Sequence, residues 1–211
     1  MTSKTNLLRK PIQNIWAIGR NYADHAKELG NTPGTSAQDP LIFLKAGSGI
    51  VENQKSFHLP KFSNDVHHEV EITLQFGEDL SFSGITLGID VTARDAQNRL
   101  KKAGSPWTLA KSFKESCLLG PMMLLAGSSI EKALQEIEFF LKINGEVRQK
   151  GNSRDMIHSI EQQRSYVLEC FPVVPGDLLM TGTPAGVGPI RSGDVLEAEI
   201  PGFLQASWRV I

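Results

Sequence analysis

Two glutamates separated by a single valine have the spacing that points most directly to chemistry. Glu69 and Glu71 lie in the stretch DVHHEVEI, which reads as a β-strand, and residues i and i+2 of a strand point to the same face. Two ionised carboxylates held that close repel each other. Solvent on an exposed edge strand, a shared proton or a bound cation would each relieve the repulsion, and the spacing alone leaves these three explanations open.

A third carboxylate would strengthen the cation explanation. Asp90 ends the apolar run GITLGID, where a buried carboxylate needs a partner; a turn or capping role just before Thr92 is the alternative. An all-carboxylate set suits Mg2+ or Mn2+, whereas Zn2+ prefers His and Cys. His67 and His68 keep zinc open, but neighbours in a strand face opposite ways, so only His67 shares the face of the glutamates.

Two residue pairs and a lysine add the types expected of an active site. His25 and Glu28 are i and i+3 in a predicted helix, and a carboxylate beside an imidazole orients the ring and raises its basicity. Arg94 and Gln97 have the same spacing and would hold a carboxylate. Lys111 lies among apolar residues, where it either reaches water or serves an anion. An ordinary solvated surface is the alternative for both pairs.

A Gly-rich stretch is a weaker candidate for anion binding. The sequence TGTPAGVG occupies residues 181–188, and its amides or the Thr183 hydroxyl would suit a small anion. It lacks the lysine of a P-loop and the GxGxxG spacing.

The elements that must position these residues are predicted to be mostly short strands broken by Gly and Pro. Asn144-Gly145 between two apolar runs predicts a type I′ hairpin. Only residues 77–83 separate two predicted strands, so a direct antiparallel turn would return Asp90 toward Glu71. The other predicted strands lie at 15–19, 41–46, 69–76 and 84–92.

Few helices are predicted, at 21–30, 92–104 and 159–171. The second opens with Thr92 and Asp95 in capping-box spacing and ends at Gly104, and the third opens with Ser159 and Gln162 in the same spacing. Strands outnumber helices and do not alternate with them regularly. The pattern therefore predicts a β-rich α+β domain.

The composition argues against several classes of protein. The chain has 211 residues, is 40% hydrophobic and carries a net charge of −1, which suits one packed core and gives no indication of a nucleic-acid or anionic-membrane partner. No signal sequence or membrane-spanning run is evident, so we expect a soluble, cytoplasmic protein. Cys117 and Cys170 have no CxxC spacing and are predicted to be reduced, buried thiols.

Taken together, seven stretches in one order resemble the fumarylacetoacetate hydrolase family, most closely its small, single-domain acylpyruvate hydrolase and oxaloacetate decarboxylase members. The resemblance runs from about Ile15 to the C-terminus. It predicts one catalytic domain over 1–211, with an N-terminal extension at 1–14. The stretches are IGRNYADHAKEL, FLKAGSGIV, DVHHEVEI, GIDVTARDAQ, SPWTLAKSF, INGEVRQKGN and MTGTPAGVGPIRSGDVLEAEI.

The resemblance implies a fold, an assembly and a role for individual residues. The fold would be a mixed β-sandwich or roll with few short helices, usually in a homodimer, and the metal would be Mg2+ or Mn2+. Family members usually have a longer segment where this chain has 77–83. The implied metal ligands are Glu69, Glu71 and Asp90; the implied catalytic residues are His25, Glu28 and Lys111; and the implied substrate-binding residues are Arg20, Asn21, Arg94, Gln97 and Thr183.

The implied activity is cleavage of the C3–C4 bond of a small 2-oxo acid, by acylpyruvate hydrolysis or oxaloacetate decarboxylation, through an enolate that the metal stabilises. His25, paired with Glu28, would activate the water needed for hydrolysis, whereas decarboxylation needs none. The same enolate chemistry supports an isomerase or tautomerase, and a non-catalytic, metal-stabilised binding protein is a further alternative.

Overall fold

The structure is a computed structural model that describes residues 12–28, 30, 34–125 and 134–211. Most of the predicted N-terminal extension at 1–14 lies outside the described residues. The assignment of 1–211 to a single domain stays a prediction.

The described strands form three sheets. They are β1 (Asn14–Gly19), β2 (Leu41–Ala46), β3 (Ile50–Glu52), β4 (Ser56–Phe57), β5 (Val66–His68), β6 (Val70–Phe76), β7 (Phe82–Asp90), β8 (Thr92–Ala93), β9 (Cys117–Leu119), β10 (Met123–Leu124), β11 (Glu138–Ile143), β12 (Glu146–Asn152), β13 (Leu178–Met180), β14 (Gly188–Pro189), β15 (Val195–Ile200) and β16 (Leu204–Val210). The large sheet has the order β2-β1-β13-β6-β7-β9-β3, with β10 on β7; the second is β12-β11-β15-β16-β4; the third is β14-β5-β8. The two larger sheets are mixed, because β1–β13, β3–β9 and β4–β16 pair in parallel, whereas the three-stranded sheet is antiparallel.

Helices are few and short, which confirms the predicted β-rich α+β class. They are α1 (Ala23–Glu28), α2 (Arg94–Ala103), α3 (Thr108–Lys111) and α4 (Ile160–Cys170), with 3₁₀ turns at Gly47–Gly49, Leu134–Glu136 and Ser153–Asp155. No helix in the described part of the chain is long and apolar enough to cross a membrane.

The strand predicted at 69–76 is found as β6, but the stretch DVHHEVEI, which the sequence predicted to be one strand, is divided. β5 belongs to the three-stranded sheet and β6 to the large sheet, and Glu69 lies between them. The His67 ring bonds the Asp65 carboxylate at 2.8 Å instead of joining the glutamates. The prediction that one continuous strand places His67 on their face is therefore wrong, because a change of sheet interrupts the two-residue period.

The short connection at 77–83 makes the direct turn that the sequence suggested. β6 and β7 pair as an antiparallel hairpin in which Glu71 lies opposite Gly88. At its open end, the backbone N–H of Asp90 donates to the carbonyl of Glu69 at 2.8 Å. The connection therefore returns Asp90 to both glutamates.

The capping box predicted at Thr92 and Asp95 is wrong. α2 begins at Arg94, and its N-cap residue, Ala93, makes no side-chain cap hydrogen bond. The Asp95 carboxylate instead accepts a hydrogen bond from the Ser63 hydroxyl at 2.6 Å. The Asp95 carboxylate, which the local spacing assigned to a helix cap, thus bonds to a residue distant in the sequence.

Three other predictions made from local sequence patterns are confirmed. Ser159 and Gln162 form a complete capping box at the start of α4. Gly104 ends α2 in the left-handed conformation, with φ of 64°. Asn144 and Gly145 have φ of 53° and 82°, as a type I′ turn between β11 and β12 requires.

The two cysteines differ in environment. Both are free thiols; Cys117 is buried in β9, as predicted, whereas Cys170 is exposed. The prediction that both are buried is therefore wrong. Cys170 is the last residue of α4, and its side chain is on the solvent side of that helix end.

The main core lies between the β6–β7 hairpin and the five-stranded sheet. Alternate residues of β6, among them Ile72 and Leu74, are fully buried in it. Because side chains alternate along a strand, Glu71 and Thr73 point away from that core. From the facing sheet, the core takes Phe139, Leu141, Leu196, Ala198, Trp208 and Val210.

A buried carboxylate joins β1 to the segment before β13. Asp177 is fully buried and accepts hydrogen bonds from the backbone and side-chain amides of Asn14 at 3.1–3.2 Å. It also accepts the Trp16 indole N–H at 3.1 Å and the Val174 backbone N–H at 3.2 Å.

We expect Asp177→Ala to lower the free energy of unfolding by about 2–4 kcal/mol, because it leaves the buried Trp16 indole N–H and several part-buried donors without an acceptor. Chemical denaturation would measure the change. Asp39→Ala, at an exposed aspartate, is the control and should shift it by less than about 0.5 kcal/mol. Equal effects of the two variants would contradict this account of Asp177.

Candidate active site

An open cleft of about 360 Å³ gathers residues from several parts of the chain. The end of β1, helices α1 and α2, the β5–β6 junction and the Gly-rich loop all contribute to it. Eight of the predicted site residues line this cleft: Arg20, His25, Glu69, Glu71, Arg94, Gln97, Lys111 and Thr183.

Three buried carboxylates form the centre of the site. Glu69, Glu71 and Asp90 each place one oxygen within 4.8 Å of the others, and they are 4%, 1% and 0% exposed. The β6–β7 hairpin makes this convergence, because it brings residue 90 back beside the β5–β6 junction. An all-oxygen cluster of this kind suits a hard divalent cation.

Two cations from the helices bond to this cluster. The Lys111 ammonium donates to Glu69 at 2.7 Å and to Asp90 at 2.5 Å. Arg94 donates one guanidinium nitrogen to Glu69 and another to the Gln97 amide oxygen at 2.7 Å. Lys111 and Arg94 are therefore directed inward, and the solvated-surface alternative for the Arg94–Gln97 pair is excluded.

Lys45 is a third cation of the cluster that sequence reasoning missed. It is fully buried in β2, and its ammonium donates to Asp90 at 2.7 Å and to the carbonyl oxygen of Lys111. One lysine thus holds both a predicted metal ligand and the backbone of a predicted catalytic residue. The run LIFLKA reads as an ordinary strand end, so nothing local distinguished this lysine.

The cations are distributed unequally over the carboxylates. Burial raises the pKa of Glu69, but the charges of Lys111 and Arg94 outweigh burial and hold that pKa well below its usual range. Burial, together with the charges of Asp90 and Glu69, raises the pKa of Glu71 well above its usual range. Within the described ranges Glu71 has no ion-pair partner and accepts the Gly182 N–H at 2.7 Å.

The residues present therefore fit a divalent cation. Glu71 is a buried carboxylate whose charge is uncompensated, and a cation among the three oxygens would compensate it. The donor set contains no Cys or His, which favours Mg2+ or Mn2+ over Zn2+.

His25 lies in the same cleft with Glu28 beside it. Its ring is 4% exposed, and its Nδ1 lies 3.6 Å from a carboxylate oxygen of Glu28, too far for a hydrogen bond. Glu28 accepts the Gly186 N–H at 3.1 and 3.2 Å. Burial lowers the pKa of His25, so the imidazole is neutral near pH 7 and able to accept a proton.

The Gly-rich loop binds groups of the protein itself. Its Gly182 and Gly186 amides donate to Glu71 and Glu28. The Thr183 hydroxyl donates to the Val70 carbonyl at 2.8 Å and accepts the Gln149 side-chain amide at 2.8 Å. This loop therefore orients a predicted metal ligand and a predicted catalytic residue.

The two residues after β1 differ in their surroundings. The Asn21 side chain bonds to backbone groups of His158 and Thr181 and is not part of the cleft lining, so its substrate-binding role stays a prediction. Arg20 lines the cleft with φ of 58°, a conformation that non-glycine residues rarely adopt and that is often found at functional sites.

The comparisons with known proteins agree with this geometry. A family model described as the fumarylacetoacetate hydrolase C-terminal domain matches residues 14–211. The chain belongs to the fumarylacetoacetate hydrolase family. The resemblance read from seven short motifs is thereby confirmed, and so is the fold that it implied.

Similar members of the fumarylacetoacetate hydrolase family have different names. Mouse (Mus musculus) oxaloacetate tautomerase FAHD1, mitochondrial, is 38% identical over 95% of this chain and 96% of its own. Escherichia coli oxaloacetate tautomerase YcgM is 35% identical over 93% and 92%. A Pseudomonas aeruginosa fumarylpyruvate hydrolase, solved with Mn2+ and pyruvate, superposes with a TM-score of 0.86 at 29% identity, covering 95% and 90%.

We expect Glu69→Gln to destabilise the protein much more than Glu71→Gln in the presence of a chelator. Glu69→Gln deprives Lys111 and Arg94 of a buried partner and should cost about 3–5 kcal/mol. Glu71→Gln removes an unpaired carboxylate and should stay within about 1 kcal/mol of wild type. Thermal denaturation with chelator would measure both effects.

Mn2+ should then stabilise the wild-type protein and raise its melting temperature. At a free Mn2+ concentration one hundred times the dissociation constant, the gain in the free energy of unfolding should be about 2.7 kcal/mol. Glu71→Gln should lose most of this response, whereas Glu52→Gln at an exposed position should keep it. A full Mn2+ response in Glu71→Gln would contradict the assignment of Glu71 as a metal ligand.

Proposed function

We propose that this protein is a divalent-metal-dependent oxaloacetate tautomerase, which interconverts the keto and enol forms of that 2-oxo acid. The observation that carries the proposal is a cluster of three buried carboxylates, two of which, Glu69 and Glu71, line one cleft with His25. Two relatives named oxaloacetate tautomerase, similar over nearly the whole chain, support it.

Glu69, Glu71 and Asp90 would hold Mg2+ or Mn2+. When bound, such a cation supplies Lewis-acid stabilisation of negative charge on a substrate oxygen. The protein adds fixed positive charge close by. Burial lowers the pKa of Lys111, but Asp90 and Glu69 outweigh burial and raise it, so Lys111 remains an ammonium ion.

His25 would move the proton. In the keto form of oxaloacetate, the imidazole takes a proton from C3, and the C–H electron pair becomes the C2–C3 double bond. The 2-oxo oxygen receives the displaced electron pair and then a proton, which completes the enol. A neutral imidazole is suited to this step because it has a free lone pair at the working pH.

Cleavage of a C–C bond is the second candidate function. Glu28 favours it, because the Gly186 amide holds this carboxylate beside His25, an arrangement that suits activation of water. His25 would take a proton from a water that attacks C4 of an acylpyruvate, and the C3–C4 bond would break to give a carboxylate and the pyruvate enolate. Decarboxylation of oxaloacetate releases carbon dioxide without a base.

Assembly and location also remain proposals. We propose a cytoplasmic homodimer whose partner molecule is a small 2-oxo acid, with no nucleic-acid or membrane partner. The family resemblance supports the dimer, and light scattering on the purified protein would test it.

A direct assay separates the two candidate functions. We expect Mg2+ or Mn2+ to accelerate the loss of enol-oxaloacetate absorbance, and a chelator to abolish the acceleration. Pyruvate release from acetylpyruvate and from oxaloacetate would be measured in parallel. Pyruvate release at a similar or greater rate would make cleavage the main activity, and no metal-dependent conversion of any kind would overturn both candidates.

His25→Ala tests the proposed base. It should lower tautomerisation and acylpyruvate hydrolysis by about 10²–10⁴-fold, while decarboxylation, which removes no proton, should change much less. Because the pKa of His25 is lowered, the wild-type rate should stay high below pH 6.5 and fall only as pH drops through that lowered value. His58→Ala, at an exposed histidine, is the control. Equal loss of all three reactions in His25→Ala would point to a structural role.

A further inference from the structure

Two cations of the cleft have no carboxylate partner. Arg94 and Lys111 also line it, but they are bonded to the carboxylate cluster. Arg20 and Lys101 line the same cleft, and neither forms an ion pair with a carboxylate in the part of the chain that the structure describes. The cleft therefore has positive charge beyond what the cluster uses.

The fold directs Lys101 into the cleft. Arg94, Gln97 and Lys101 are i, i+3 and i+7 on α2, so they form one stripe along the helix, and all three line the cleft. The Lys101 ammonium lies 5.0 Å from the centre of the Trp107 ring. An aromatic face stabilises an ammonium at this distance and holds it at the cleft instead of in bulk water.

The electrostatic surroundings of Lys101 favour an anion. Burial, followed by the charges of Arg20, Arg94 and Lys111, lowers the pKa of Lys101 to about 8. Several positive charges thus face one another across a small space, and like charges in that situation are destabilising. A bound carboxylate would relieve the repulsion and form charge-assisted hydrogen bonds.

We propose that Lys101, together with Arg20, binds the second carboxylate of a dicarboxylic 2-oxo acid. The inference rests on the proposed function and adds the residues that select its substrate: they favour a four-carbon 2-oxo dicarboxylate over a 2-oxo acid whose far end is uncharged. Lys101 is a specificity-determining residue in this assignment. The left-handed backbone of Arg20 turns the chain between β1 and α1 and leaves its guanidinium at the cleft.

The apolar part of the lining explains why the second carboxylate needs a dedicated partner. Ile18, Phe43 and Trp107 also line the cleft, and the rings of Phe43 and Trp107 lie 6.3 Å apart. An alkyl or acyl group tolerates such walls, whereas a carboxylate loses its hydration there without compensation. The unpaired cations supply that compensation.

The test compares two probes that differ only at the far end. Oxaloacetate carries a carboxylate where 2-oxobutyrate carries a methyl group. Binding of each to the Mg2+-loaded protein would be measured by calorimetry, and turnover of oxaloacetate would be measured separately. The variants are Lys101→Met, which keeps the aliphatic stem over Trp107, and Lys101→Arg, which keeps the charge; Lys102→Met, at an exposed neighbour, is the matched control.

We expect Lys101→Met to weaken oxaloacetate binding by about tenfold to a hundredfold and to leave 2-oxobutyrate binding within about twofold. The loss in turnover should appear in KM with little change in kcat, because the interaction is present before and during the reaction. Lys101→Arg should recover most of the affinity, and Lys102→Met should match wild type.

Equal weakening of both probes, or weakening of neither, would overturn the assignment of Lys101. Failure of the proposed function has a different signature. In that case oxaloacetate binds and Lys101→Met weakens it selectively, yet wild type shows no metal-dependent turnover. Absence of oxaloacetate binding to wild type would overturn the assignment and the proposed function together.

Discussion

The burial of three carboxylates against one another is the constraint on which the rest of the site depends. Glu69, Glu71 and Asp90 are almost wholly withdrawn from water, and an isolated buried charge is strongly destabilising. The fold responds by bringing cations from three separate elements, namely Lys45 on β2, Arg94 on α2 and Lys111 on α3. These three cations compensate most of the negative charge of the cluster.

The apolar core and the charged cluster lie on opposite sides of the β6–β7 hairpin. β6 buries Val70, Ile72 and Leu74 against the five-stranded sheet, and the alternation of side chains directs Glu71 to the other side. A one-residue slip in register would place the glutamate in the core. The hydrophobic pattern of the hairpin thus fixes the side of the sheet on which Glu71, the proposed metal ligand, lies.

The amino-acid pattern predicted which residues meet at the cleft more fully than it predicted the local geometry. The return of Asp90 to the glutamates followed from a short connection between two strands, and the Asn144-Gly145 turn and the α4 capping box followed from local residue preferences. The break at Glu69 did not, because the apolar alternation of DVHHEVEI continues across a change of sheet. The role of Lys45 could not be predicted from its neighbours in the sequence, because its partner, Asp90, is distant in the chain and the bond depends on tertiary folding.

Charge balance connects the proposed metal site to the proposed substrate. Three carboxylates and three cations form the inner cluster, but Glu71 has no direct ion pair among the described residues, which leaves it available to a metal ion. A divalent cation would add two positive charges to a cleft in which Arg20 and Lys101 have no carboxylate partner among the described residues. A monoanionic 2-oxo acid would leave most of this charge uncompensated in a partly dehydrated space. A dianion would place one carboxylate toward the metal and the other at Lys101, with negative charge at both positively charged ends of the cleft. The electrostatics that hold the cluster together therefore also favour a dicarboxylate.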